Sequence, residues 1–337
     1  MSDEPRVLKC VFIGFGTVGR ALHALLEAQR AALVRDYNIT FLTTGVASRR
    51  TGWHANVSGL DPHAPSGTLC GSVHEFLATS RADVVFEAIA LDPAAGQPAL
   101  DYLRAALEYG AHAISANKGP VVHGFRELSQ VAARMNRAYR FESAVMDGAP
   151  LFSLVRECLP LVGLRAVSGV FTSTATVVLE AIEAGGTLAD GVAGAQRLGI
   201  AEANPSYDID GWDSAVKLCA IGNVLFGGNL RLDDVERTGI RELSASDVRT
   251  AAAAGQPYRL VGSVRRDETG ALEAWVRPVT CAPHGLLGVV PGATLVTHFE
   301  ADMFPGGLTI TSRDPDATTT AYGMFADFIS VARHSLL

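Results

Sequence analysis

The chain has 337 residues, of which 48% are hydrophobic and 19% are charged, and its formal net charge is −7. This length exceeds the size at which a single core keeps growing, so we expect two domains. The acidic balance disfavours nucleic acid and anionic membranes as general partners. The first residues contain no apolar signal core and no run is long enough to span a bilayer, which predicts a cytoplasmic protein. The five cysteines are widely separated, which favours reduced, buried thiols.

The first element of the chain is a strand that leads through a glycine-rich turn into a helix. Val7 to Ile13 is an apolar run, Gly14-Phe15-Gly16-Thr17-Val18-Gly19 follows it, and leucines at helical spacing come next. In this context the first glycine permits the tight turn, the second lets a pyrophosphate approach the backbone, and the third lets the helix pack on the strand. The pattern therefore predicts dinucleotide binding, with a purely structural tight turn as the alternative.

The second strand, predicted from Ile39 to Ala47, ends in Ser48-Arg49-Arg50. An acidic residue at this point would hold a free ribose 2′-hydroxyl, whereas two guanidinium groups could clamp a 2′-phosphate. NADP is therefore favoured over NAD. The alternative is that Arg49 and Arg50 only solvate a loop, because the interval from Gly14 is longer than the usual spacing of about 20 residues.

Strands and helices continue to alternate, with a strand predicted over Asp83 to Ala90, a helix over Gln97 to Tyr109 and a strand over His112 to Ala116. This alternation predicts an α/β protein with a Rossmann-type doubly wound parallel sheet. The last of these strands leads into Asn117-Lys118-Gly119-Pro120. Ligands of open α/β sheets bind outside the carboxyl ends of the strands, so Lys118 is a candidate for the mouth of the cofactor crevice.

The stretch from Gly199 to Lys217 places four carboxylates and one lysine around an Asn204-Pro205 break. Trp212 to Val224 has a helical pattern, which puts Asp213 and Lys217 on one face at positions i and i+4. The residues alone favour an exposed ion pair worth roughly a few tenths of a kcal/mol. The alternative is a site formed around Lys217.

Three motifs, in this order along the chain, resemble those of the homoserine dehydrogenase family, in a short form without kinase or regulatory extension. They are Ala116-Asn117-Lys118-Gly119-Pro120, then Glu142-Ser143-Ala144-Val145-Met146-Asp147-Gly148-Ala149-Pro150, then Leu198-Gly199-Ile200-Ala201-Glu202-Ala203-Asn204-Pro205 with Asp208, Asp213 and Lys217. The likeness covers residues 7 to about 230 and continues more weakly to the C-terminus.

The resemblance implies reversible hydride transfer between NADPH and L-aspartate 4-semialdehyde, giving L-homoserine. Lys217 matches the family's acid and base for the substrate oxygen, and Lys118 would lie between nicotinamide and substrate. Lysine suits proton transfer because its pKa responds to burial, whereas arginine keeps its proton. The carboxylates suit the ammonium group of an amino acid, and the predicted substrate-binding residues are Glu202, Asp208, Asp213 and Thr174.

The predicted cofactor is NADP, with NAD as the alternative. The residues predicted to bind it are Gly14, Phe15, Gly16, Thr17, Val18, Gly19, Arg49, Arg50, Ala90, Lys118 and Gly199. The resemblance also implies a site for a monovalent, Na⁺-like cation, formed by Glu142 and the backbone carbonyls of Val145, Asp147 and Ala149. The histidines lack metal-ligand spacing, so a zinc site is not expected.

The motifs predict a dinucleotide-binding domain over residues 1–145, joined by a C-terminal helix within about 311–337. An α+β domain for substrate binding and dimerisation would cover residues 146–310, and the resemblance implies a homodimer. Within that domain we expect helices over Thr174 to Ala184 and about Thr187 to Leu198, and strands over Leu260 to Arg265, Leu272 to Arg277 and Thr294 to Glu300.

Two loops depart from the family pattern. The first runs from Thr172 to Thr176 and lacks a glycine, and the second runs from Ser312 to Thr318 and contains Asp314 and Asp316, whose charges would repel an anionic ligand. Asp147 also occupies a position where a small residue is usual. These departures leave open an enzyme for a related amino-acid alcohol or aldehyde. A catalytically silent NADP-binding protein is the alternative from another class, and the joint presence of Lys118, Glu202, Asp213 and Lys217 argues against it.

Overall fold

The chain divides into two compact units in the computed structural model, which describes residues 4–201, 204–282, 285–288 and 290–334. The first unit comprises residues 1–150 and 316–337, and the second comprises residues 151–315. None of the helices in the described ranges is long and apolar enough to cross a membrane.

The first unit alternates strands and helices as far as residue 146. Its elements are β1 (Arg6–Ile13), α1 (Thr17–Ala28), α2 (Arg30–Tyr37), β2 (Ile39–Ser48), β3 (Gly52–Ala55), β4 (Thr68–Leu69), α3 (Val73–Ser80), β5 (Val84–Glu87), α4 (Ala99–Tyr109), β6 (His112–Ser115), α5 (Lys118–Arg134), β7 (Tyr139–Arg140) and α6 (Ser143–Met146).

The sheet of this unit has seven strands in the order β4-β3-β2-β1-β5-β6-β7. Strands β2, β1, β5, β6 and β7 run parallel, while β3 and β4 add an antiparallel edge. Because β2 and β5 flank β1, the chain winds away from β1 in both directions, and the switch point lies at the carboxyl ends of these strands. The predicted doubly wound parallel sheet is confirmed.

Strand β5 is shorter than the predicted strand from Asp83 to Ala90, and the prediction was wrong at its end. The Glu87 carboxyl group accepts a hydrogen bond from the backbone N–H of Ile89 at 2.9 Å. The Ile89 N–H group thus donates to a side chain instead of to a neighbouring strand. The chain leaves the sheet after Glu87.

The second unit begins with a short π-helix at Leu154–Cys158 and continues with β8 (Leu164–Val170), α7 (Ser173–Glu183), α8 (Leu188–Arg197), α9 (Ser206–Ile209) and α10 (Trp212–Leu225). A 3₁₀ turn at Leu232–Asp234 precedes β9 (Val235–Arg237), α11 (Ala245–Ala253), β10 (Tyr258–Arg266), β11 (Leu272–Thr280), β12 (Leu295–Ala301) and β13 (Phe304–Ser312). The predicted helices and strands of this region are present, and their ends differ from the predicted ones by at most three residues.

Its sheet has six strands in the order β13-β12-β8-β10-β11-β9 and is antiparallel except for the β9–β11 pair. The sequence did not predict β13, because Pro305, Gly306 and Gly307 interrupt its strand pattern. At this edge position a proline removes no hydrogen bond from the interior of the sheet. The mixed α/β fold with a second sheet agrees with the predicted fold class.

Helix α12 (Ala317–His334) returns the chain to the first unit, where it packs on α1. Its side chains Met324 and Phe328 are fully buried in the same core as Phe12 and Phe86. Asp316 caps the helix, since its Oδ1 accepts hydrogen bonds from the N–H groups of Thr318 at 2.8 Å and Thr319 at 3.0 Å. From the sequence, Asp316 is expected only to repel an anionic ligand. The structure gives this residue another role, because it caps α12.

Asp316→Ala should unfold at a lower temperature than the wild-type chain at pH 7, because two N–H groups lose their acceptor. The hydrogen bond from the Thr319 backbone is the largest cause that lowers the pKa of the Asp316 carboxyl group. The stabilisation is therefore fully present above the unfolded pKa of about 3.9 and is lost as pH falls through the folded pKa. Thermal melts at several pH values should show the difference between the two proteins shrinking below about pH 4.

Asp314→Gly is the matched control. Asp314 is exposed and has a φ of +47°, which glycine adopts without strain. Its melting temperature should stay close to that of the wild-type chain, and an equal loss in both variants would contradict the capping role.

Candidate functional site

A cavity of about 890 Å³ opens at the carboxyl ends of β1, β2 and β5, within the first unit. The turn after β1 lines it with Gly14, Phe15, Gly16 and Thr17. Other lining residues come from the end of β2 and from the irregular segment after β5, namely Ser48, Arg49, Arg50, Thr51, Ala88, Ile89 and Ala90. The cavity thus lies at the switch point of the sheet, where α/β proteins bind their ligands.

The three glycines of the turn after β1 have different surroundings. Gly14 has a φ of +96°, and a Cβ atom there would lie 2.5 Å from the Ala88 carbonyl oxygen. A Cβ atom on Gly19 would lie 2.5 Å from the Gly14 carbonyl oxygen, whereas one on Gly16 would meet nothing within 4 Å. Gly14 and Gly19 are therefore required by packing, and Gly16 leaves open space at the start of α1. No side chain caps α1, so its first N–H groups are available to an anion such as a pyrophosphate.

Three arginines line the same cavity, and all of them are exposed: Arg20, Arg49 and Arg50. Within the described ranges, Arg49 and Arg50 form no hydrogen bond or ion pair, while Arg20 lies 5.4 Å from the centroid of the Phe15 ring. Guanidinium groups without a protein partner suit an anionic ligand. Sequence reasoning missed Arg20, although its position one turn into the helix after the glycines was a usable signal.

Aromatic side chains form another part of the cavity wall. Trp53 and Tyr102 pack edge to face with centroids 5.0 Å apart, and His63 packs edge to face on Phe15 at 5.2 Å. The ring centroids of His23 and His63 are 5.5 Å apart. Burial is the largest cause that lowers the pKa of the His23 side chain. Aromatic rings beside arginines suit a ligand that has both flat rings and phosphates. Of these residues, only Phe15 was among the predicted set.

Four predicted cofactor residues do not line this cavity. Val18 packs against the core of the first unit, and Gly19 is buried between α1 and the turn. Lys118 is the first residue of α5, half-buried at the carboxyl end of β6. Gly199 belongs to the second unit, where its φ of +71° ends α8.

Lys217 lies in the second unit, on a helix that is buried along most of its length. Residues 214 to 223 of α10 are all buried, and Lys217 itself is only 6% exposed. Its Nζ lies 2.8 Å from Asp213 Oδ2 and donates to the carbonyl oxygen of Phe171 at 2.5 Å. The i and i+4 geometry is as predicted, but the interpretation as an exposed surface pair is wrong, because both side chains are largely removed from water.

A second polar pair lies on the neighbouring elements of this unit. Thr174 Oγ1 donates to Asp208 Oδ2 at 2.7 Å, which joins α7 to α9. Tyr207 precedes Asp208, and burial, followed by the charges of Asp213 and Asp208, raises the pKa of its phenol. Tyr207 is therefore near both carboxylates and was not predicted, although it lies inside the stretch from Gly199 to Lys217. The predicted substrate residue Glu202 lies outside the described residues.

The segment predicted to hold a cation runs from Glu142 through α6 to Ala149. Glu142 is 3% exposed, and its N–H donates to Asp327 Oδ2 at 2.8 Å. Asp147 ends α6 with a φ of +49°. The described ranges contain no group of three or more His, Cys, Asp or Glu side chains that could hold a metal ion. All of the predicted cation ligands are hard oxygen atoms, and most of them are backbone carbonyl oxygens.

Composition offers one further signal that motif reading did not use. Only three of the 28 basic residues are lysines, namely Lys9, Lys118 and Lys217. A chain that uses arginine almost everywhere else has lysine at both positions that the motifs predict to be catalytic. Arginine keeps its proton in proteins, whereas lysine can release it.

The parallel sheet with a cavity at its switch point is typical of an oxidoreductase with a dinucleotide-binding domain. A family model described as "Homoserine dehydrogenase, NAD binding domain" matches residues 14–142, and one described as "Homoserine dehydrogenase" matches residues 150–329. The chain belongs to the homoserine dehydrogenase family.

Individual relatives agree with this assignment. The chain is 30% identical over 337 residues to a protein of Pseudomonas canavaninivorans named "NAD(+)-dependent homoserine dehydrogenase", with 96% of each chain covered. It is 26% identical to a homoserine dehydrogenase of Sulfurisphaera tokodaii, covering 98% of this chain and all of that one. It also superposes on the crystal structure of a homoserine dehydrogenase from Thiobacillus denitrificans with a TM-score of 0.86 and 26% identity, covering 99% of this chain and 75% of that one.

Gly16→Ala should fold normally and lose affinity for nicotinamide dinucleotides, because the new methyl group occupies the open space before α1. Gly19→Ala is the matched variant in the same turn. It should lower the melting temperature, since its Cβ atom would lie 2.5 Å from the Gly14 carbonyl oxygen. Calorimetric titration with NAD and NADP, together with thermal melts, separates the two effects. Unchanged cofactor affinity in Gly16→Ala would show that the dinucleotide does not approach this glycine.

Proposed function

We propose that this chain interconverts L-homoserine and L-aspartate 4-semialdehyde, with Lys217 as the acid and base at the substrate oxygen. The observation that supports this most directly is the buried Lys217 ammonium group, held between Asp213 and the Phe171 carbonyl oxygen. A buried cation that is fixed by two acceptors has a defined position toward a reacting oxygen. The family membership of the chain supports the same reaction.

The proposed chemistry needs a proton at one atom of the substrate. When the aldehyde is reduced, its oxygen gains negative charge, and Lys217 stabilises that charge and then donates the proton. When the alcohol is oxidised, the neutral amine form of Lys217 accepts the hydroxyl proton and becomes the ammonium group. Asp213 orients the ammonium group, and burial strengthens its electrostatic effect on the developing charge.

The amino acid itself also has to be held. Its ammonium group needs carboxylate partners, which we assign to Glu202 and to the Asp208 carboxylate that Thr174 orients. Lys118 would complete the site between cofactor and substrate. In this proposal, residues 1–145 and the C-terminal helix form the domain that binds the dinucleotide. Residues 146–310 bind the substrate and form the dimer contacts.

A nicotinamide dinucleotide fits the cavity of the first unit. Its phosphates would lie on the turn from Gly14 to Thr17 and at the N-terminus of α1, beside Arg20. When bound, the cofactor donates or accepts the hydride. The aromatic and apolar wall with Trp53 and Tyr102 offers surfaces for its flat rings.

Two further features belong to the proposal. A monovalent cation such as Na⁺ would be held by Glu142 and the carbonyl oxygens of Val145, Asp147 and Ala149, whose hard oxygen donors suit it. The chain would act as a homodimer through the sheet of its second unit, in the cytoplasm.

Lys217→Met should lower kcat for L-homoserine oxidation by roughly 10² to 10⁴, the usual size of a general acid–base contribution. The variant also removes the Lys217 cation from its contact with Asp213, so a thermal melt has to accompany the kinetics. Lys217→Arg keeps the charge and separates the two effects, because arginine does not release its proton. It should retain cofactor affinity and most of the stability while losing turnover.

Lys9→Met, the only lysine variant outside the proposed site, is the control and should keep its activity. The assay follows NAD(P)H absorbance with a panel of amino-acid alcohols in which L-homoserine is expected to give the highest kcat/KM. Full turnover by either Lys217 variant would refute the proton-transfer role.

A related amino-acid alcohol remains the second candidate substrate, because the loops from Thr172 to Thr176 and from Ser312 to Thr318 depart from the family pattern. The first loop contains Thr174, whose hydroxyl group donates to Asp208 Oδ2. Another amino-acid alcohol that gave a higher kcat/KM than homoserine in the same panel would favour this candidate.

NADP is the preferred cofactor in this proposal, because Arg49 and Arg50 line the cavity and have no protein partner in the described ranges. The wild-type chain should bind NADPH more tightly than NADH, and replacing both arginines by alanine should narrow the difference. Arg20→Ala is the matched control, since this residue lies near the phosphate turn and should weaken both cofactors alike. Equal affinities of the wild-type chain for NADPH and NADH would contradict the 2′-phosphate clamp and would agree with the NAD(+)-dependent relative from Pseudomonas canavaninivorans.

A further inference from the structure

Glu87 is a fully buried carboxyl group that the proposed chemistry does not use. It is the last residue of β5, opposite Ser115 on β6, and its exposed fraction is zero. In the described part of the chain, no lysine, arginine or histidine forms an ion pair with it. Burial of a carboxyl group without a cation is unfavourable, so an apolar residue would suit this core position better on stability alone.

The Glu87 carboxyl group connects the segments that follow two neighbouring strands. Oε2 accepts a hydrogen bond from Ser115 Oγ at 2.5 Å, and Oε1 accepts one from Ile89 N at 2.9 Å. Asn117 Nδ2 approaches Oε1 at 3.4 Å. One side chain therefore fixes both the segment that lines the cavity and the segment that leads into α5.

The hydrogen bonds continue from Ser115 and Asn117 to the backbone on both sides of Lys118. Ser115 Oγ accepts from Asn117 N at 3.0 Å, and Asn117 Oδ1 accepts from Gly119 N at 3.0 Å. On its other side the turn is confined by Gly96, whose Cα would lie 2.8 Å from a Cβ atom on Gly119. The backbone at Lys118 is thus held from both sides, and Glu87 is the buried end of the chain of contacts.

We propose that Glu87 is a positioning residue for Lys118: its carboxyl group holds the turn from Ser115 to Gly119 so that the Lys118 ammonium group has one fixed position toward the substrate. The proposal rests on the proposed function for the role of Lys118, but the geometry of the turn is independent of that role. An enzyme in which a charged group is displaced by about 1 Å can lose roughly 10²-fold in rate.

Glu87→Leu should fold and lose roughly 10- to 100-fold in kcat. Glu87→Gln should recover much of that rate, because its amide can accept from Ile89 N and donate to Ser115 Oγ. Ser115→Ala, which removes one link, should give a smaller loss of the same kind. Should Glu87→Leu not fold, Glu87→Gln and Ser115→Ala still test the proposal.

A double-mutant cycle with Lys118→Ala tests whether Glu87 acts through Lys118. The proposal expects the double variant to have the kcat of Lys118→Ala alone, with no further loss. A purely structural role of Glu87 would instead multiply the two losses. Multiplied losses, or a wild-type kcat in Glu87→Leu, would overturn the proposal.

Hydrogen exchange of the backbone amides of Asn117 and Gly119, which donate to Ser115 Oγ and Asn117 Oδ1, provides a measurement that needs no substrate. These amides should be protected in the wild-type chain and exchange faster in Glu87→Leu and Ser115→Ala. Ser80→Ala is the control, since it removes another buried hydroxyl of this unit, one that donates to the Phe76 carbonyl oxygen. If the wild-type chain did not oxidise homoserine, the proposed function would fail while this test remained valid. Unchanged exchange at these amides in Glu87→Leu would overturn the positioning role.

Discussion

The contact between the Lys217 ammonium group and two oxygen atoms is the constraint on which the architecture of the second unit depends. A charged side chain in the middle of a buried helix is unfavourable unless acceptors surround it. Asp213 supplies one acceptor from the preceding turn of α10, and the Phe171 carbonyl oxygen supplies another from the end of β8. The sheet and the helix must therefore meet at this point. The Lys217 side chain is held in one position, unlike a lysine on the protein surface, which is mobile.

Both units place polar groups at the carboxyl ends of buried strands and hold them by short links to neighbouring elements. Glu87 and Ser115 do this after β5 and β6, and Phe171 does it after β8. In each case the strand supplies a rigid origin and the following turn supplies the polar atom. Precise sites are formed more easily on such rigid elements than on long loops.

Much of this organisation could be predicted from the sequence, because its signals are local. The glycine turn after β1 and the lysine at i+4 from Asp213 are read from spacing alone, and motif order indicated the family. Burial and partners were not readable in the same way. Nothing local indicates that α10 is covered on all sides, that Asp316 is a helix cap, or that Glu87 meets Ser115 across 28 residues of sequence. Such facts arise from contacts that are distant in sequence, and the edge strand β13 was missed because its proline and glycines are tolerated only at an edge.

The return of α12 to the first unit has a consequence for synthesis of the chain. Phe12 and Phe86 are translated early, but Met324 and Phe328, which share their core, are translated only near the end. During synthesis the whole second unit leaves the ribosome while the apolar face that α12 will cover is still exposed to water. Domains generally fold as units during synthesis, the N-terminal one first. Here the unit that begins first is completed last, so the nascent chain presents an open hydrophobic surface for most of its translation.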